Sequence, residues 1–153
     1  MKRLMILVIL SFVFIRLIAQ DPVTVKHSIT IAGKKLDYTT QTGYLNLKND
    51  TGKVIAHVFF TYYKKEGEDV GKRPVTFTFN GGPGSASVWM QIAYTGPKLL
   101  HIDEEGYPVQ PYGIKDNPHS ILDVADIVFV NPVNTAYSRM IPDKDGKLPE
   151  KNL

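Results

Sequence analysis

Between Val23 and Ile31 the odd-numbered positions Val23, Val25, Ile29 and Ile31 are apolar and the even ones are polar, with His27 in the apolar register. Strict alternation of this kind predicts a β-strand with one face turned inward, ended by a turn at Gly33. Tyr44, Leu45 and Leu47 then lead into Asn49-Asp50-Thr51-Gly52, a turn cluster. The run Val54 to Tyr63 that follows is rich in β-branched and aromatic residues, which suit a pleated strand. From Pro22 to Lys65 the chain therefore reads as antiparallel β-structure, with a hairpin around Asp50–Gly52.

The pattern changes after a charged link, Lys64 to Arg73. Pro74 to Phe79 is a short strand, ended abruptly by Asn80-Gly81-Gly82-Pro83-Gly84. Val88, Trp89, Ile92 and Ala93 lie at helical spacing, so a short helix is expected to start near Ser85 or Ser87, either of which can cap it. Thr95-Gly96-Pro97 stops that helix. Lys98 to Ile102 is a brief apolar stretch, Asp103-Glu104-Glu105-Gly106 a turn, and Tyr107 to Pro118, with its three prolines, an irregular loop. Asp126-Ile127-Val128-Phe129-Val130 reads as a buried strand from its unbroken apolar run, and a polar tail begins at Pro142. An antiparallel opening followed by two strands, each leading into a loop, is the first part of an α/β sheet rather than a finished one.

The first twenty residues belong to a different pattern. Lys2-Arg3 precedes an apolar run from Leu4 to Ile15 that only Ser11 interrupts, and Arg16 closes it. A basic start and a short apolar run are the build of a secretory signal, and the run falls short of the ~20 residues that span a bilayer. Residues 1–20 are thus read as a signal peptide and 21–153 as the body, working in a secreted, periplasmic or other extracytoplasmic setting with no stable membrane span. The chain carries 18 basic and 15 acidic residues. Lys2, Arg3 and Arg16 supply the whole excess, so the body is neutral and offers nucleic acid no basic footprint. Cysteine is absent, which removes disulfides, thiol nucleophiles and Cys-ligated zinc.

Asn80 to Gly84 holds the most chemical information. Three glycines in four positions after a strand let backbone approach a ligand closely, and amides at a helix start attract negative charge. Three uses are open for such a corner. It can be a tight turn with no ligand. It can be a dinucleotide loop, with Asp103 about 20 residues on, although Ser87 stands where the third glycine of that fingerprint belongs. Or it can be an oxyanion hole, in which a loop amide stabilises charge developing on a carbonyl oxygen.

Beyond these local readings, the chain resembles the serine carboxypeptidase family. The marks are Thr42-Gly43-Tyr44-Leu45-Asn46-Leu47, Asn80-Gly81-Gly82-Pro83-Gly84 with Gly96-Pro97 downstream, and Asp126 to Val133 followed by Thr135 and Tyr137-Ser138-Arg139. The resemblance runs from about Leu36 to Met140. It implies an α/β-hydrolase fold, of which residues 21–153 would be the N-terminal portion, and removal of C-terminal residues from peptides by a serine nucleophile, without a cofactor or metal. It implies further that Gly82 gives an oxyanion amide and that Asn80, with Gly81, helps to hold the terminal carboxylate of a peptide or protein substrate. Thr78 stands where the family usually has Trp, Asn131 replaces an Asp before Pro-Val, and Asn134-Thr135-Ala136 replaces Gly-Thr-Gly. Ala tolerates left-handed backbone only at a cost, so a distorted loop is expected there.

No G-x-S-x-G occurs in these 153 residues: Ser85, Ser87 and Ser138 all lack the flanking glycines. His27 and His57 fall in strands, His101 precedes a turn and His119 lies in a loop, none within a legible triad motif. The expectation is an N-terminal fragment that carries the oxyanion corner without the triad and is inactive alone. Two other functions stay open: a non-catalytic or acyltransferase-like relative, and a small anion- or nucleotide-binding domain.

Overall fold

The computed structural model describes residues 21–69, 71–81 and 84–149. The expected signal segment, residues 1–20, lies outside them. Three strands open the fold as an antiparallel meander: β1 (Val23–Ile31), β2 (Lys34–Lys48) and β3 (Val54–Lys65). The first turn is Ala32-Gly33, both at positive φ (48° and 78°), the backbone that a two-residue hairpin needs to match strand twist. The second turn is built on Asn49, whose Oδ1 accepts from the backbone N–H groups of Thr51 (3.2 Å) and Lys53 (2.9 Å). The expected hairpin around Asp50–Gly52 is therefore present, within a three-stranded unit.

Next come β4 (Val75–Thr78), β5 (Lys98–Leu100), β6 (Ile114–Asp116), β7 (Asp126–Val130) and β8 (Arg139–Met140). The main sheet has the order β1-β2-β3-β7-β4, with β8 also pairing β3. β7 runs antiparallel to β3 and parallel to β4, so the sheet changes from antiparallel to parallel at β7. β5 and β6 form a separate antiparallel pair. The sequence pattern had placed β6 within an irregular loop. Its three residues are all exposed, so no burial periodicity marked it.

One face of the main sheet holds the core. Ile29, Ile31, Leu36, Tyr38, Tyr63, Ile127 and Phe129 cluster with Leu122, and Met90 and Ile121 pack against them. Burial of each large apolar side chain contributes about 1.5–3 kcal/mol. The cover reaches only part of β1: Ile29 and Ile31 are buried, but Val23 and Val25 are 61% and 47% exposed. Alternation set their facing correctly, yet nothing among the described residues lies over that end of the strand deeply enough to bury them.

The expected helix after the glycine corner is reduced to two α-helical residues and a π-helical turn, Met90–Tyr94. Met90 faces the core, whereas Val88 and Trp89 are exposed. The helical stretch does begin directly after Ser87, as expected, but no serine side chain caps it, because the Ser87 hydroxyl is bonded to the Asn80 N–H and the Val130 carbonyl. Ser87 is instead buried and bonded to β7, as described below.

The opposite sheet face is largely uncovered at β4. Val75 and Phe77 on β4, and Phe79 just beyond it, project there, and Phe77 is 63% exposed. Among the described residues β4 pairs only with β7, which leaves its outer edge open. An open edge beside an apolar face favours association. The 21–153 body is expected to be poorly soluble or to sediment as oligomers, and Phe77→Lys is expected to shift it toward monomer. A sharp, reversible melt of a wild-type monomer would contradict this.

Candidate functional site

β4 and β7 are parallel, with Thr78 opposite Phe129, so the segments after both strands emerge at the same sheet end. That is where open α/β sheets bind ligands. After β4 comes Asn80-Gly81, and after the undescribed pair Gly82-Pro83 comes Gly84, whose φ of +87° suits glycine. A Cβ built at Gly81 would meet no atom within 4 Å, so the corner is open on that side. The Asn80 side chain is half-buried, and its Nδ2 donates a long bond to the Gly81 carbonyl (3.4 Å). Gly82, the expected oxyanion donor, lies outside the described residues.

The foot of the corner is held by two buried serines, Ser87 and Ser138, and by the half-buried Asn131. The Asn80 N–H donates to Ser87 Oγ (3.3 Å), and that hydroxyl donates to the Val130 carbonyl at the end of β7. The Ser87 N–H donates to Asn131 Oδ1 (3.0 Å). Asn131 is fixed in turn: its N–H donates to the Phe59 carbonyl (3.0 Å), and its carbonyl accepts from Ser138 Oγ (2.7 Å). Ser138 Oγ also accepts from the Phe59 N–H (2.8 Å). These bonds join the corner, β3, β7 and the 134–138 loop. Asn131, at the position where the resembled family carries an acid, thus works here as a neutral acceptor for a backbone amide.

The same contacts bear on the candidate nucleophiles. Ser87 and Ser138 are 1% and 0% exposed, and each hydroxyl both donates and accepts within the fold. Asn134 and Ala136 sit at φ of +66° and +42°, so both substituted positions take left-handed backbone, which for Ala136 carries a cost. Asn134 gains from this by accepting the Met140 N–H on its Oδ1 (3.3 Å). Three of the four histidine side chains have local partners: His27 stacks on Tyr38, His57 Nδ1 meets Asn46 Oδ1 (2.8 Å) and His101 Nδ1 meets the Pro111 carbonyl (2.9 Å).

Downstream of the corner, Gly96 is required sterically: a Cβ there would lie 2.0 Å from the Gln91 carbonyl oxygen. Buried Asn117 ties this bend with Nδ2 donating to the carbonyls of Tyr94 (3.0 Å) and Gly96 (2.8 Å). Ser120 Oγ adds a bond to the Thr95 carbonyl (2.9 Å).

Sequence reading missed two features. One is a buried ion pair, Arg73 Nε to Asp126 Oδ1 (2.9 Å), at the start of β7. The acid opening an apolar strand was its only signal. The other is a cleft of about 370 Å³ lined by Asp21, Val23, Thr42, Gly43, Tyr44, Phe59 and Tyr137. It joins residues from four separate segments, a juxtaposition that no local pattern displays.

Comparison with known proteins adds a family. The family model described as "Serine carboxypeptidase" matches residues 31–152. Carboxypeptidase Y of Saccharomyces cerevisiae is 31% identical over 109 residues, covering 71% of this chain and 18% of the relative. Carboxypeptidase S1 homolog A of Arthroderma otae is 28% identical over 128 residues, covering 72% of this chain and 19% of the relative. The chain spans about a fifth of the length of these curated relatives.

Proposed function

Since the chain belongs to the serine carboxypeptidase family, we propose that it supplies the oxyanion corner and the carboxylate-holding asparagine of a serine-type carboxypeptidase. In this reading the nucleophile, its base and the orienting acid come from polypeptide outside these 153 residues, and the residues present are inactive or nearly so alone. The observation that carries the reading is the corner itself. It sits at the ligand-binding end of the parallel strands, is open at Gly81, and is tied down at its foot by Ser87 and Asn131.

The chemistry follows from that placement. Attack on the terminal peptide bond puts negative charge on the carbonyl oxygen, and the Gly82 N–H donates to it. A donor fixed before the reaction needs no reorganisation as charge develops. Asn80, with Gly81 beside it, meets the substrate's free carboxylate and so restricts cleavage to the last residue. The leader places this work in an extracytoplasmic compartment, and the substrates are peptide or protein C-termini.

The test uses a longer polypeptide that joins these residues to a G-x-S-x-G segment and its Asp and His. It is expected to release the terminal amino acid from an N-blocked dipeptide with a free carboxylate, and to cleave the C-terminally amidated form far more slowly. Asn80→Ala is expected to narrow that preference, chiefly through KM. Equal rates on acid and amide would contradict the proposal.

A further inference from the structure

We infer that the Asp21–Tyr44–Phe59–Tyr137 cleft binds a cationic side chain, arginine or lysine, of a peptide whose C-terminus lies at the glycine corner. Tyr44 and Phe59 are opposite one another in the β2–β3 register, with ring centroids 5.4 Å apart and planes inclined by 69°. Tyr137 packs on the other side of Phe59, at 5.0 Å and 51°. Tyr44 and Tyr137, each inclined to Phe59, thus line one concave site with it, and the acidic residue Asp21 belongs to the same lining.

That combination selects for positive charge. Aromatic faces carry a negative quadrupole that attracts ammonium and guanidinium groups. A carboxylate beside them would repel an anion and gain nothing from a neutral apolar group. Among the described residues, no ion pair uses Asp21. Tyr44 and Tyr137 are 49% and 66% exposed, so their rings are accessible. A cleft of this size accepts one long side chain.

The cleft also shares the corner's end of the sheet. Phe60 pairs with Val130, and Phe59 is bonded through its N–H and carbonyl to Ser138 and Asn131, the residues that anchor the corner. A substrate held by its terminal carboxylate would extend an upstream residue toward the cleft. The inference rests on the peptide-substrate reading for the identity of the ligand, while the chemistry of the site stands on its own residues.

The test is a titration of the full chain, carrying Phe77→Lys on the opposite sheet face, followed by aromatic-ring NMR. The probes are N-acetyl-arginine amide and its neutral isostere N-acetyl-citrulline amide, neither of which is a peptidase substrate. Saturable shifts at Tyr44, Phe59 and Tyr137 are expected with arginine, and binding weaker by about tenfold with citrulline. Asp21→Asn is expected to weaken arginine binding several-fold, and Tyr137→Ala to abolish it. If Tyr137→Ala does not fold, the exposed Asp21→Asn variant decides. Equal binding of the two probes, or no saturable shift at these rings, would overturn the inference. Arginine binding by the chain, with no release of terminal residues by the longer polypeptide that carries the G-x-S-x-G segment, would leave the cleft intact and sink the peptidase reading. Peptidase activity without arginine binding would do the reverse.

Discussion

In an enzyme assembled from this chain and a nucleophile-bearing segment, Gly82→Pro is expected to lower kcat by about 10²–10³-fold. Proline removes the backbone N–H, which is the whole of what Gly82 contributes to the proposed chemistry. The donor acts on charge that exists only as the carbonyl is attacked. Its loss should therefore reduce kcat and kcat/KM together and leave KM nearly unchanged. Gly82→Ala is the control, because alanine keeps the N–H. A similar fall in both variants would point to disturbance of the corner rather than loss of a donor. Unchanged turnover in Gly82→Pro would remove Gly82 from the mechanism.

Breaking the Arg73–Asp126 pair is expected to have the largest effect on stability. Both side chains are 8% exposed. Asp126 Oδ1 also accepts from the Lys65 N–H (3.2 Å), and Oδ2 from the Tyr62 hydroxyl (3.0 Å). Arg73 donates onward to the Leu122 carbonyl (2.8 Å) and to Glu68 (3.1 Å). The pair thus joins the charged link to the start of β7 and the end of β3. Removing Arg73 leaves the Asp126 carboxylate buried without a counter-charge, at a cost of about 3–5 kcal/mol, whereas removing Asp126 leaves Arg73 paired with Glu68 and costs less. Against a total stability on the order of 5–15 kcal/mol, Arg73→Ala should leave the domain near its unfolding threshold, with Asp126→Ala milder. Denaturant titration in the Phe77→Lys background reads this directly. Replacing Arg73, Asp126 and Tyr62 together by Met, Leu and Phe is expected to recover most of the loss.

The same network gives a signed pH dependence. Burial, together with the hydrogen bond to Asp126, pushes the Tyr62 hydroxyl up to about 12 from its ordinary 10.0. A raised value means that the folded state holds this proton more tightly than the unfolded one. Its contribution is therefore complete below the ordinary value and is lost as pH climbs through about 12. Tyr62→Phe should flatten that alkaline limb.

The strands were legible because their signals are local. The alternation in β1, the aromatic run of β3 and the apolar run of β7 each announce one or two buried faces. The glycine corner was legible for the same reason, since Gly84 takes a φ of +87°, where glycine is favoured. What escaped was set by contacts between distant segments. Ser87 looks like a helix cap until β7 is placed beside it and the Val130 carbonyl takes its hydroxyl. Val23 and Val25 look like core until the extent of the cover is known. Phe59 and Tyr137 are 78 positions apart in the chain and share a cleft only because Ser138 ties that loop to β3.

The most direct measurement of the central claim is reaction of the full chain with a serine-directed fluorophosphonate, followed by mass spectrometry of its peptides. The chain is expected to remain unlabelled, with Ser87 and Ser138 intact. Label should appear on the serine of the G-x-S-x-G segment when the longer polypeptide is treated in the same way. Stoichiometric labelling of Ser85, Ser87 or Ser138 in the chain alone, accompanied by release of C-terminal amino acids, would contradict the division of labour proposed here.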